Sequence, residues 1–411
     1  MTGVKPSSTS RGHAWLSNFP PEDQPTALTL LDALKFVQLS TIFRTLRIFL
    51  QDLVISQEIF EPALLLPALS LEDLPRAESH VAYDTYNPGD PISATPGSEG
   101  LIGNMIRDLI RGRPAAAKPP WLSPDTSIDS LRLQRCRSIV IVTDYSGSGV
   151  QLWNYAKTLV RNPTIRSWRS GGFLRIYAVA FAASPRAFDM YQRPHAPIDK
   201  LWTVEAAPTF WDQPWTKSER VAIEVLCRRY ALRRYQRQAL GFRSSRGLFA
   251  TESGAPNNLP FILRQRGGNW HPFFEGRAVP PELAGELGDY TPEFDADRFI
   301  ASTGQIRIAN MPKSRNTRHV STELLQVLGL LARRPRPAAD ISATTGLALH
   351  YVDALLATLT SLGLIEEDDQ LTARGTAELA AGKRAAREVA LQLSPSGDPY
   401  YPSSMVAIQP E

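Results

Sequence analysis

The sequence predicts an α/β fold in which a parallel sheet is flanked by helices, with a helical N-terminal cap and a small C-terminal domain. Three observations carry this prediction. The β-branched run Ile139 to Val142 is typical of a strand that is covered on both faces. A helical pattern over 151–160 and a second strand over 173–182 follow it, as in a parallel βαβ unit. Residues 320–380 then read as helices followed by a hairpin.

Composition limits the classes of protein. The 411 residues are too many for one compact core and suggest two or three domains. A hydrophobic content of 43%, a charged content of 21% and a net charge of +4 are those of a soluble globular protein and do not require a polyanionic partner. Two cysteines are too few for a disulfide framework. The apolar segments carry charges, so we expect a cytoplasmic protein with no membrane segment.

Shifts in composition predict the order of the domains. Helices are expected over 25–39 and 40–54, a Leu/Pro-rich connection over 62–78, and a first short strand over 80–86. The predicted regions are a disordered segment 1–12, a helical region 13–78, the sheet domain 79–300, a linker 301–319, a helical domain 320–380 and a tail 381–411.

The segment with the clearest chemistry follows the strand at 139–142. Asp144 stands at its carboxyl end, where open α/β sheets place their ligands, and a loop of small residues separates it from the next helix. The first amides of a helix and its dipole attract anions. A carboxylate for sugar hydroxyls beside such a loop predicts a site for a ribose 5-phosphate, although an ordinary strand–turn–helix corner has the same pattern. The candidate residues are Thr143, Asp144, Tyr145, Ser146, Gly147, Ser148, Gly149, Val150 and Gln151.

These residues resemble the phosphoribosyl pyrophosphate (PRPP) loop of type I phosphoribosyltransferases, which has four apolar residues, two acids and a Gly-rich turn. The resemblance implies that Asp144 is the catalytic residue, holding the ribose diol or acting as base, and that 143–151 bind ribose and phosphate. Thr143 replaces the first acid, which favours binding over turnover.

A second Gly/Ser loop lies upstream of a helical segment, and in the same family a loop of this kind holds the pyrophosphate of PRPP. The resemblance therefore implies Mg²⁺ bound with PRPP, because Glu99 needs a cation between its carboxylate and the pyrophosphate. No set of protein metal ligands is expected. The matching positions are Thr95, Gly97, Ser98, Glu99 and Gly100.

Three further motifs widen the resemblance. Asn162 to Trp168, Ala255 to Pro260 and Trp270 to Arg277 are similar to segments of phosphoribosyltransferase-like proteins of bacterial conflict systems. This resemblance implies an effector of a retron-type antiphage defence system, with a reverse transcriptase and its noncoding RNA–DNA complex as partners. Candidates for the base side of the ligand are Pro256, Asn257 and Asn258.

Helices over 322–332, 338–344 and 347–362, followed by a hairpin over 363–374, are the plan of a winged helix. Its third helix carries no Lys or Arg, and four acids at 366–369 would be repelled by a phosphate backbone. We therefore expect a structural or protein-contacting role rather than DNA binding. The alternative function for the whole chain is a non-catalytic PRPP-sensing regulator or adaptor, and whether it is an enzyme stays open.

A basic stripe offers another nucleic-acid candidate. Arg229, Arg233 and Arg237 would share one face of a helix over 217–240, with Tyr230 and Tyr235 as stacking surfaces. A solvated helix face explains the same pattern, and both interpretations remain open.

Overall fold

The computed structural model describes residues 3–69, 98–111, 121–191, 193, 195–292, 319–332, 335–345, 347 and 349–380. The predictions made for Thr95, Gly97, the strand at 80–86 and the tail at 381–411 lie outside these residues, as does nearly all of the linker.

The centre of the molecule is a five-stranded parallel sheet, which confirms the predicted fold class. Its strands are β2 (Ala63–Pro67), β3 (Trp121–Leu122), β4 (Ser138–Ser146), β5 (Arg175–Ala183) and β6 (Lys200–Ala206). Their order is β3-β2-β4-β5-β6. The chain therefore moves outward from β2 to β3 and resumes on the other side of β2 with β4. Such a switch point opens a crevice at the carboxyl ends of the strands.

Helices cover both faces of the sheet. The helices α3 (Leu39–Ile55) and α4 (Ser98–Arg111) pack on one face, and α5 (Ile128–Leu133), α6 (Val150–Arg161), α7 (Pro163–Ser170) and α8 (Pro185–Tyr191) on the other. Residues 139 and 141 of β4 face the second group, whereas 140 and 142 face the first. This two-sided burial explains the continuous apolar run.

A second lobe is built from both ends of the main domain. It contains α1 (Ser10–Leu16), α2 (Gln24–Asp32), β1 (Lys35–Val37), α9 (Lys217–Tyr230), β7 (Phe249–Thr251) and α10 (Pro281–Leu287). The strands β1 and β7 pair in parallel. Trp15 is buried among residues of 210–290 and donates a hydrogen bond of 2.9 Å to the carbonyl of Ile262. The N-terminal residues are thus part of a shared core rather than a separate cap.

Three predictions for the N-terminal part are wrong. Residues 3–12, predicted to be disordered, contain the 3₁₀ turn Pro6–Ser8 and the start of α1, because their polar groups have partners: the Ser7 amide donates to Asp32 over 2.9 Å. The first predicted helix ends early, and β1 follows it. The connection at 62–78 contains β2, whose consecutive leucines are all buried and show no alternation.

The three predicted C-terminal helices are present as α11 (His319–Leu330), α12 (Ala338–Thr345) and α13 (Leu349–Ser361). The predicted hairpin over 363–374, which we call the wing, is reduced to one antiparallel bridge between Ile365 and Leu371, because the chain turns helical again from residue 373. The three helices share a core of their own, and α12 and α13 also contact β6 at the edge of the sheet. A covered edge strand cannot pair with another chain. Among the described residues, every helix is too short or too polar to traverse a lipid bilayer.

Candidate functional site

Asp144 lies at the carboxyl end of β4, beside the switch point between β2 and β4. Only 5% of the residue is exposed. One carboxylate oxygen accepts the Tyr145 amide at 2.8 Å, and the other accepts the Ser253 hydroxyl at 2.7 Å. The Ser98 hydroxyl also donates to this carboxylate. The carboxylate is therefore enclosed by donors from three segments of the chain.

Burial dominates the electrostatics of this group. It raises the pKa of the Asp144 carboxyl above its ordinary value, although the hydrogen bonds from Ser253, the Tyr145 amide and Ser98 act in the opposite direction. A buried carboxylate is costly in free energy unless a partner compensates it. The charged form of Asp144 is therefore less favourable in the free protein than it would be in water.

The loop 145–150, which we call the phosphate loop after its predicted ligand, and the first turn of α6 present unused amides. The carbonyl of Gly147 accepts the Ser184 hydroxyl, and that of Gly149 accepts the Tyr191 hydroxyl at 2.6 Å, so α8 and the residue before it hold both carbonyls. In the described part of the chain, the amides at positions 147, 148, 149, 151 and 152 have no acceptor. Free amides at a helix N-terminus are a ready anion-binding arrangement.

The start of α4 meets the phosphate loop. The Gln151 amide group donates to the Glu99 carboxylate at 3.0 Å, while Ser98 reaches Asp144 and Gly100 is buried behind them. The described half of the predicted pyrophosphate loop therefore adjoins the predicted ribose and phosphate residues. The positive ends of α4 and α6 both lie at this place.

The remaining candidates of this segment have packing roles. Thr143 is buried, and its hydroxyl lies 3.4 Å from the Asp144 carboxylate, so it supplies no second acid. Tyr145 stacks on Phe249 of β7 at 5.2 Å between ring centroids. Ser146 is buried at the end of β4, and the Val150 amide is 3.4 Å from the Ser148 hydroxyl.

Of the three base-side candidates, Asn258 lies against the loop. A Cβ at Gly147 would come within 2.5 Å of the Asn258 side-chain oxygen. Pro256 and Asn257 instead form the preceding turn: the carbonyl of Pro256 accepts the Leu259 amide, and that of Asn257 accepts the Phe242 amide.

Sequence reasoning missed Ser253. Its hydroxyl bonds both Asp144 and, at 2.6 Å, the Thr251 hydroxyl, so it links the site to the second lobe. The two partners are 109 residues apart and Ser253 is in no recognisable motif. The position of Ser253 beside Asp144 depends on the pairing of β7 with β1, which the sequence did not predict.

Two of the three motifs that widened the resemblance have structural roles. Asn162 caps α7 by accepting the Thr164 amide at 2.9 Å. Phe273 and Phe274 are buried in the core of the second lobe. The third motif contains Asn258, which lies against the phosphate loop.

The predicted arginine stripe does not form, because α9 ends at Tyr230 and a 3₁₀ turn covers Arg233–Gln238. Arg229 pairs with Asp23 at 2.9 Å, and Tyr235 stacks on Phe261.

The wing and α13 present an acidic surface. Burial, and after it the negative charges of Asp368 and Asp353, raise the pKa of Asp369. Asp353 on α13 is exposed near these wing residues. Carboxylates therefore accumulate on the surface where a DNA reader would place cations.

Comparisons with known proteins agree with this architecture. The family described as PRTase-CE matches residues 13–275, and the family described as wHTH-PRTase associated matches residues 325–406. No curated protein and no solved structure matches the chain.

Proposed function

Because the chain belongs to the PRTase-CE family, we propose that it binds PRPP, or the ribose and phosphate of a nucleotide, at Asp144 and the phosphate loop. The observation that carries the proposal is the pairing of an enclosed carboxylate with a row of unused amides at the switch point. The first group suits hydroxyl donors and the second suits a phosphate, and a phosphoribosyl group has both.

Hydroxyl exchange explains how the ribose would bind. In the free protein, the hydroxyls of Ser253 and Ser98 donate to Asp144. A ribose diol has two hydroxyl donors and would replace the two serine hydroxyls while leaving the Tyr145 amide in place. The charged form of Asp144 would remain compensated, so no carboxylate oxygen would be left without a partner.

Mg²⁺ fits the donors at the start of α4. Glu99 supplies carboxylate oxygens, the ligand type that this ion prefers, and lies beside Gln151. Glu99 would hold the ion together with pyrophosphate oxygens, and the ion would neutralise the charge that develops on a departing pyrophosphate. Asp144 would keep the sugar hydroxyls oriented, and the phosphate loop would hold the 5-phosphate.

Two functions follow from this site. As an enzyme, the protein would act at the anomeric carbon of PRPP or a nucleotide, as an effector of antiphage defence. The motifs similar to proteins of bacterial conflict systems support that cellular role. As a non-catalytic sensor or adaptor, it would transmit ligand binding to the winged helix. Thr143 favours the sensor because it provides no second acid, and the contact of α12 and α13 with β6 gives a route between the domains.

Isothermal titration with PRPP and Mg²⁺ tests the proposal. We expect the wild type to bind and Asp144→Ala to lose at least about tenfold in affinity, equivalent to about 1.4 kcal/mol. Asp108→Ala is the matched control, since Asp108 is an exposed residue of α4 that pairs with Arg47. Absence of binding by the folded wild type would refute the proposal. If PRPP binds, pyrophosphate release or changed nucleotide pools would identify the enzyme, and unchanged pools would identify the sensor.

A further inference from the structure

Asn258 is a buried polar residue whose side chain lies against the phosphate loop. Only 4% of the residue is exposed, and its carboxamide packs on Gly147. Buried polar side chains nearly always make a hydrogen bond. An amide in this place therefore indicates a hydrogen-bond partner that is bound at the loop.

The position of this amide identifies what the partner touches. The oxygen, carbon and nitrogen of the carboxamide all lie within 2.7 Å of the point that a Cβ of Gly147 would occupy. Gly147 begins the stretch of free amides in the phosphate loop. Glycine is required there because any side chain would collide with Asn258. The second lobe thus places one further amide donor directly against the row of backbone donors.

The backbone of Asn258 is held rigidly. Its carbonyl accepts the Gly247 amide and the Ser245 hydroxyl, each at 3.0 Å. A Cβ at Gly241 would come within 2.0 Å of that carbonyl oxygen, so the segment 241–247 wraps closely around it. Such contacts fix the direction in which the side chain leaves the backbone.

The wrapping segment adopts unfavourable backbone conformations. Arg243, Ser244 and Arg246 have φ of +51°, +56° and +54°, each costing about 1–2 kcal/mol for a residue with a side chain. The Arg246 guanidinium bonds Glu224 at 2.6 Å and the Ser244 carbonyl at 2.9 Å, which holds the segment in place. Strain of this kind is concentrated at functional sites, where it preorganises a group.

We infer that Asn258 is a phosphate-binding residue: its side-chain NH₂ donates to the same phosphate monoester that the amides of the phosphate loop bind. This inference rests on the proposed function and replaces the expectation that Asn258 contacts the base. A neutral amide adds a donor without adding charge. It would therefore increase selectivity for a tetrahedral oxyanion held at one fixed position.

The test compares Asn258→Asp with Asn257→Asp, using ribose 5-phosphate and PRPP as ligands in titration calorimetry. Aspartate has nearly the shape of asparagine but brings a negative charge against the phosphate. We expect Asn258→Asp to lower the affinity for both ligands by tenfold or more. Asn257→Asp should change neither affinity, since the backbone carbonyl of Asn257, which accepts the Phe242 amide, is unaltered in this variant.

Asn258→Ala gives a second measurement if the charged variant fails to fold. It removes the donor and leaves the backbone carbonyl, with both of its hydrogen bonds, in place. Binding of ribose 5-phosphate by this variant with wild-type affinity would overturn the inference. Loss of affinity for nucleotides alone, with ribose 5-phosphate unaffected, would also overturn it, by assigning the residue to the base. Failure of the wild type to bind either ligand would instead refute the proposed function.

Discussion

The phosphate loop and the wing each contain a glycine with positive φ and lie beside an aspartate whose pKa is raised, yet their surroundings are opposite. Around the loop, Asp144 and Asn258 are buried beside backbone amides that have no acceptor among the described residues. Around the wing, Glu366 and Glu367 are exposed, and the apolar side chains beneath them pack among themselves. The difference indicates that buried polar groups beside free amides identify a ligand site better than the number of charges on a surface does.

The largest effect should come from the core of the winged helix. Leu355 is buried among the apolar residues of α11, α12 and α13. Leu355→Ala should lower the free energy of unfolding of this domain by about 2–5 kcal/mol, since it leaves a cavity. Urea denaturation followed by circular dichroism measures the loss.

PRPP affinity should stay unchanged in the same variant, because no residue of this core belongs to the phosphate loop. Titration with PRPP in the absence of urea, at a temperature well below the thermal unfolding transition, provides that control. A parallel fall in PRPP affinity would show that the contact with β6 couples the two regions. The phosphate loop and the winged helix would then be cooperative parts of one unit rather than independent regions.

The sequence predicted the elements that have a regular pattern. β4, α6 and β5 were found within a few residues because a β-branched run, a helical apolar pattern and a Gly-rich corner mark them. β2 is as fully buried as β4, but it was missed because its leucines and Pro67 are weak strand formers.

The site itself was predictable only in part. The loop is contiguous, so its residues could be read together, and the start of α4 could be added through a resemblance. Ser253 and the packing of Asn258 on Gly147 arise from segments more than 100 residues away. Contacts between such segments depend on how the second lobe sits over the sheet, which no local pattern encodes.

Two glycines allow a closer comparison, for which we expect an effect of intermediate size. Gly149 has φ of +74°, and a Cβ there would lie 3.1 Å from the Met190 sulfur, whereas Gly363 has φ of +66° and open space around it. Either substitution by alanine should cost about 1–2 kcal/mol of stability through its backbone conformation. Gly149→Ala should in addition lower PRPP affinity about tenfold by shifting loop amides, a change of about 1.4 kcal/mol.

Thermal unfolding and titration of both variants separate the two effects. Equal PRPP affinities for Gly149→Ala and Gly363→Ala would contradict the assignment of the loop amides to a phosphate. An affinity loss confined to Gly149→Ala would sharpen the contrast between a ligand-binding turn and a structural one.

The smallest effect concerns the two aspartates with raised pKa values. For Asp144 the main cause is burial; for Asp369 burial is reinforced by Asp368 and Asp353. Because the folded state binds the proton more tightly than the unfolded state, stability falls as pH rises from the ordinary pKa of 3.8 through the raised value. Asp144→Asn and Asp369→Asn should therefore gain stability over the wild type across that interval and keep the gain above it.

The gain should be larger for Asp144→Asn, because solvent screens the partly exposed Asp369. Asparagine preserves the shape and can still accept the Tyr145 amide, so the free protein should become more stable while PRPP affinity falls. Asp369→Asn should leave affinity unaltered. Melting temperatures measured between about pH 4 and 8 provide the readout. If the wild type instead gains stability relative to Asp144→Asn as pH rises, the hydrogen-bond donors outweigh burial at this carboxylate. The loop and the wing would then differ in geometry but not in the free energy that their charged aspartates cost.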